Sequence, residues 1–228
     1  MTTRGRDLDC RSNAGSRRFI FGVSGHRDLV SADVPQLRGQ IQTLFSRFRA
    51  AYPDVSFQLL SPLAEGADRL AAEVALSSQI KLLVPMPMAQ KEYERDFPNT
   101  ASLSEFRRLL AAADSQWEVR DELAKDRSAT RTEQYAAVGD FIARKSDVLL
   151  LLWDGLDNEK IGGTAWVKKR REYWVNTVTN PLRQEGPLSY GPTIQIATPR
   201  ASAIGGPGDR LRIEIIGDLP PGELKSFA

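Results

Sequence analysis

Val148-Leu-Leu-Leu-Leu-Trp153 is the stretch on which the fold turns. Six apolar residues in a row fall far short of the ~20 that cross a bilayer. Read as a strand, the run lacks the apolar/polar alternation of a half-exposed sheet. It is therefore buried on both faces, as in a parallel sheet covered by helices. The run ends in Asp154-Gly155, and Gly162-Gly163-Thr164 then leads into a helical segment carrying Trp166, Val167, Tyr173, Trp174 and Val178.

Outward from this strand the chain alternates between strand and helix. Phe19–Val23 is a short β-type run that ends in the turn Gly22-Val-Ser-Gly25-His-Arg-Asp28. Val34, Leu37, Ile41, Leu44, Phe45 and Phe48 follow at three- and four-residue steps, with Pro35 in the first turn where proline is tolerated. Val55–Ser61 predicts the second strand, and Leu70, Ala71, Val74 and Ala75 the inward face of a second helix. Ile80–Val84 predicts a third strand, stopped by Pro85 and Pro87. From about 88 to 145 the pattern changes. Ser102/Glu105 and Thr130/Glu133 have the spacing of capping boxes ahead of apolar faces, and 114–129 is polar and weakly patterned. This section predicts a helical insertion over one end of the sheet. Pro192–Ala197 predicts another strand, 201–208 a Gly/Pro loop, and Arg210–Ile216 an edge strand. The whole predicts an α/β fold: a doubly wound, mostly parallel, Rossmann-like sheet with helices on both faces. One domain is expected over 17–217, flanked by a disordered tail at 1–16 and a second tail at 218–228. Such sheets take ligands beyond the carboxyl ends of their strands.

Composition narrows the function. Among 228 residues, 41% are hydrophobic and 26% charged, enough for a packed core. The net charge of +2 is too small to argue for nucleic acid unless charges cluster. Lys168-Lys-Arg-Arg171 is such a cluster, and its expected role is a solvated helix face. With a single cysteine, Cys10, no disulfide can form within the chain, which suits a reducing compartment. With a single histidine, His26, the usual zinc site is also out of reach, and neither metal nor cofactor is expected. The N-terminal arginines precede no apolar segment of signal type. The expected location is the cytoplasm.

Three strand-to-helix junctions carry small residues suited to anions. In the first, Gly25 lets the backbone approach a phosphate closely, Arg27 can pair with it in bidentate fashion, and His26 is an acid/base or hydrogen-bonding candidate or a structural residue. In the second, Glu65-Gly66-Ala67-Asp68-Arg69, the start of a helix offers amides at Gly66 and Ala67. Glu65 can accept from ribose hydroxyls, while Asp68 also suits a first-turn acid favoured by the helix dipole. In the third, Gly162, Gly163 and Thr164 form an anion nest or a glycine loop with a threonine cap. Asp154 closes the buried strand where ligand-facing residues gather. Tyr93, Asp96 and Phe97 either close over a base or pack locally.

Taken in order, Phe21-Gly-Val-Ser-Gly-His-Arg-Asp28, Ser61-Pro-Leu-Ala-Glu-Gly-Ala-Asp-Arg-Leu-Ala71, Ser146-Asp-Val-Leu-Leu-Leu-Leu-Trp-Asp-Gly155 and Gly162-Gly-Thr164 resemble the SLOG superfamily. That Rossmann-like group is related to the Smf/DprA proteins, the LOG phosphoribohydrolases and the TRPM-channel ligand domain. The resemblance spans roughly 18–200. It implies binding of a nucleotide or an ADP-ribose- or NAD-like signal, in the manner of bacterial conflict or stress-signalling systems. It maps the first glycine turn to Gly25, His26 and Arg27, the second loop to Glu65, Gly66, Asp68 and Arg69, and the glycine-threonine loop to Gly162, Gly163 and Thr164. The enzymes of the group carry Pro-Gly-Gly-x-Gly-Thr-x-x-Glu with a catalytic glutamate; here Val167 holds that place. A valine moves no protons, so a binding and sensing module is expected ahead of N-glycosidic cleavage. Should cleavage occur, Glu65, Asp68 and Asp96 are the candidate carboxylates. The expected partners are a nucleotide-like small molecule and either a second copy or an effector protein, with no membrane and no nucleic acid.

Overall fold

The computed structural model describes residues 18–97, 99–119, 129–157, 160–177, 191–203 and 210–217. The expected tails at 1–16 and 218–228, Val178 and most of the 201–208 loop lie outside them. Seven strands form one sheet: β1 (Arg18–Gly25), β2 (Ser56–Leu60), β3 (Lys81–Met86), β4 (Ser115–Glu118), β5 (Val148–Trp153), β6 (Thr193–Ala197) and β7 (Ile213–Ile216). Their order is β4-β3-β2-β1-β5-β6-β7, and every pairing is parallel except β6 with β7. The helices are α1 (Val34–Ala51), α2 (Ala67–Ser77), α3 (Gln90–Tyr93), α4 (Thr100–Ala111), α5 (Arg131–Lys145) and α6 (Thr164–Thr177). The fold is the expected Rossmann-like α/β fold.

β5 lies inside the sheet, between β1 and β6, and is buried throughout. Its side chains part between the two faces as the pleat requires. Leu150 and Leu152 join the core built on α1 and α2, with Phe21, Ile41, Phe45 and Phe48. Leu149, Leu151 and Trp153 join the core built on α5 and α6, with Ile142 and Val167.

Two expectations along the chain need correction. β4 falls inside the stretch that reads as weakly patterned. It is an edge strand of four residues with Ser115 and Gln116 exposed, so it carries no apolar run to announce it. β3 also runs through Pro85 to Met86 instead of stopping at Val84. The Ser61 N–H donates to the Leu83 carbonyl on the β2 side, whereas Asp114 and Val119 donate to Leu82 and Met86 on the β4 side. Pro85 therefore turns its missing N–H toward β2, which has already ended, and the β4 ladder continues undisturbed.

The capping boxes divide. Thr130 and Glu133 cap α5 reciprocally, as the spacing predicts. In α4 the cap is Asn99, whose side chain accepts from the Ser102 amide, which frees Ser102 and Glu105 for other partners.

The basic run of α6 is a solvated face only in part: Lys169 is exposed and pairs with Asp157, while the run ends buried. Arg171 is 1% exposed and donates to the carbonyls of Ala143 (3.0 Å), Ser146 (2.7 Å), Asp147 (2.8 Å) and Gly191 (2.8 Å). It ties α6 to the end of α5 and to the approach to β6. Its neighbour Arg170 pairs with Asp140. Arg171→Leu leaves those buried carbonyls without their donor and is expected to cost about 3 kcal/mol. Thermal melting checks this: the midpoint should fall by roughly 6–12 °C, and a shift under about 2 °C would refute the bracing role.

Candidate ligand-binding site

A connection on one face leaves β1 for β2, while β5 on its other side is entered from α5 and left toward α6. The crossovers thus diverge between β1 and β5, and a crevice opens beyond their carboxyl ends. It holds a cavity of about 360 Å³, lined by Ser24, Gly25, His26 and Arg27 from the end of β1, Asp68 from α2, Tyr135 and Gly139 from α5, and Gly162, Gly163 and Thr164 at the start of α6. Tyr93, Trp153, Val167 and Arg200 also face it. Of the residues singled out in the sequence, Gly25, His26, Arg27, Asp68, Gly162, Gly163 and Thr164 therefore meet around one space.

Each junction has its own local logic. Gly25 is held by packing: a Cβ there would sit 2.4 Å from the Ala67 Cβ and 2.5 Å from the Leu152 carbonyl. The His26 N–H continues the ladder to Leu152 O (3.0 Å), and the Ala67 amide donates to His26 O (3.0 Å). The Ala67 amide is therefore spent on the protein and is not offered to a ligand, contrary to expectation. At α6 the first intrahelical bond runs from Val167 N to Gly163 O. That leaves the amides of Thr164, Ala165 and Trp166 without intrahelical acceptors at the positive end of the helix. The Ser24 hydroxyl lies 3.4 Å from that of Thr164, so two hydroxyls stand beside those amides.

His26 is 2% exposed. Its Nε2 lies 3.1 Å from both the Asp154 backbone amide and Asp154 Oδ2. Burial lowers its pKa; Asp154 opposes this, and Arg200 adds to it. The ring is thus neutral at pH 7 and accepts the amide hydrogen, while Oδ2 faces Arg200 Nε at 3.5 Å. Asp154 therefore does not line the cavity; it holds His26 and Arg200 at its rim.

The Arg27 guanidinium lies 5.4 Å from the centre of the Tyr135 ring, a cation–π contact. Among the described residues it has no ion-pair partner. Asp68 is 4% exposed, and burial pushes its carboxyl up to about 7, against the pull of Arg27, the Ala64 amide and Arg69. A carboxyl poised near neutrality at a cavity wall can hold or release a proton.

The remaining candidates lie outside the lining. The Ser102 hydroxyl donates to Glu65. Arg69 spans from α2 to α4, donating to Leu63 O (3.1 Å), Ser102 O (2.9 Å) and Glu105 (2.7 Å), with its guanidinium 4.5 Å over Phe97. Gly66 takes φ +75° where α2 begins against the β1 loop. Asp96 accepts from the Tyr135 hydroxyl and pairs with Arg131. Glu65, Gly66, Arg69 and Asp96 are thus held by the protein itself and frame the site from behind.

The sequence reading passes over Tyr135, Arg200 and Ser24. Helical periodicity assigns Tyr135 to the core face of α5, although a tyrosine near a helix start can bring its hydroxyl to the sheet's edge. Nothing in the local pattern distinguishes Arg200. Among the described residues no cluster of His, Cys, Asp and Glu is arranged to hold a metal ion, and no helix is long and apolar enough to cross a membrane.

Sheet order, crossover divergence and the crevice between β1 and β5 define the class: a Rossmann-like α/β domain with a ligand-sized cavity at its switch point. No family model matches the chain, and no curated protein matches it. Among solved structures the chain is similar to DNA processing protein A (DprA) from Streptococcus pneumoniae, at 14% identity and a TM-score of 0.45. The match covers 68% of this chain and 50% of that one, so the chain spans about half the length of that structure.

Proposed function

We propose that the chain is a SLOG-type module that binds and senses a nucleotide or a nucleotide-derived signal of the ADP-ribose or NAD kind. The observation that carries this reading is that Gly25–Arg27, Asp68 and Gly162–Thr164, from three separate strand ends, line one cavity. In this reading the amides and hydroxyl at the start of α6 take a phosphate, and Arg27 supplies the countercharge. The base rests against apolar wall residues, among them Trp153 and Val138. Signalling then passes to a second copy or an effector protein in the cytoplasm.

Calorimetric titration with nucleoside mono- and diphosphates, ADP-ribose and NAD tests this. At least one should bind, and Arg27→Ala should weaken it roughly 10- to 100-fold, as loss of a charge-assisted contact does. Absence of heat at millimolar concentration from folded protein would overturn it. The same titration with DNA at two salt concentrations tests whether nucleic acid is a partner, since phosphate contacts weaken steeply with salt.

N-glycosidic cleavage is the second reading, and Asp68 is the observation in its favour. It is the one carboxylate of the three candidates that lines the cavity, and its proton affinity suits general acid/base work at neutral pH. Chromatography of NAD and nucleoside monophosphates after prolonged incubation decides it; intact substrates retire the idea.

A further inference from the structure

The side chain of Tyr93 stands at the inner wall of the cavity with 0% exposure. Its ring is fixed by Phe97 (5.2 Å between centres), Phe106 (5.5 Å) and Tyr135 (6.2 Å). Its hydroxyl has no hydrogen-bond partner among the described residues. A buried polar group is nearly always partnered, so an orphan at a cavity wall is a group that a bound ligand or an ordered water would complete. The charged and polar groups that act on it are those of Tyr135, Asp68, Arg27 and Asp96. Two of these are already engaged with each other, since Tyr135 donates to Asp96. Asp68 and Arg27 line the same cavity as Tyr93.

The geometry points to a second subsite, formed by Tyr93 and Asp68 and distinct from the start of α6, that holds a pair of sugar hydroxyls on the ligand. The chemistry of the two groups selects this class. A carboxyl accepts hydrogen bonds and, while it keeps its proton, donates one; a phenol does either. A vicinal diol offers two donors and two acceptors and satisfies both in either protonation state of Asp68. A phosphate offers acceptors alone and is repelled as soon as Asp68 ionises. Phosphate therefore goes to the amides of α6, and the diol goes to Tyr93. The cavity then discriminates ribose from its deoxygenated forms, because a buried polar group without its partner is costly.

This inference rests on the proposed nucleotide binding at the same cavity. The probes that separate the two are inorganic pyrophosphate, ribonucleoside monophosphates and their 2′,3′-dideoxy counterparts, titrated into the wild type and Tyr93→Phe. The wild type should bind at least one ribonucleotide about 10-fold or more tighter than its dideoxy form. Tyr93→Phe should reduce that preference several-fold and leave pyrophosphate binding unchanged. Equal binding of ribo and dideoxy probes would overturn the diol subsite and leave phosphate recognition standing. No binding of any probe would overturn both. Melting of the unliganded protein gives an independent reading. Because the hydroxyl has no internal partner, Tyr93→Phe should melt at or above the wild-type temperature. A fall of several degrees would mean that the protein itself uses the hydroxyl, and would also overturn the subsite.

Discussion

Gly66→Ala is expected to destabilise the protein by about 2–5 kcal/mol. Gly66 precedes the first residue of α2 with φ +75° and ψ −116°, a region that side chains with a Cβ avoid. A Cβ added there would lie 2.4 Å from the carbonyl oxygens of both His26 and Arg27. Backbone oxygens at the end of β1 cannot step aside, because the His26 amide is bonded to β5 and its carbonyl to Ala67. Conformational strain of ~1–2 kcal/mol thus adds to an overpacking cost of ~1–3 kcal/mol. The melting midpoint should fall by roughly 4–20 °C. The same contact sets His26 and Arg27 at the cavity, so ligand binding should fail in any protein that remains folded. A variant within about 1 kcal/mol of wild type would show that the β1–α2 junction is looser than its geometry.

Asp68→Asn should stabilise the protein, and increasingly so as the pH rises. The carboxyl titrates near 3.8 when exposed and near 7 in the fold. Well below 3.8 it is neutral in both states and costs nothing. Between the two values the unfolded chain has lost its proton while the native state keeps one, so stability declines with pH. Above 7 the full penalty is in place, about 4 kcal/mol from the separation of the two values. Asparagine is neutral throughout and can still accept the Ala64 amide, though it gives up attraction to Arg27. Urea titrations at pH 5, 6.5 and 8 should show a gain that grows from about 1 to about 3–4 kcal/mol. A constant difference across that range would mean Asp68 does not hold its proton in the fold. A residue that weakens its own protein at working pH is common where chemistry or binding needs it.

What could be read from the chain follows from how each element is stabilised. β5, β1, α1 and α2 owe their existence to burial, and burial leaves a hydrophobic pattern: the leucines of 149–152, and the Phe45/Phe48 face of α1. β4 owes its place to backbone bonds with β3, which any sequence can make, so its residues announce nothing. At the site, glycine and arginine at strand ends are legible because their chemistry is local, and Gly25, Arg27 and Gly162–Thr164 do share a cavity. Ser102 and Glu105 look like a cap but serve Glu65 and Arg69 from another helix, a partnership set by packing across 33 to 37 positions. The Tyr93–Asp68 grouping is of the same long-range kind, and no spacing rule anticipates it.

The reversed direction of β7 has a practical outcome. β1 through β6 all advance toward the cavity, so Arg18 starts at the far pole of the molecule, and β7 carries the chain back there, leaving Gly217 beside Pro192. Both described ends thus emerge opposite the mouth. A dye carried at either of these two residues stands away from the entrance, which makes labelling there a sound format for the titrations above.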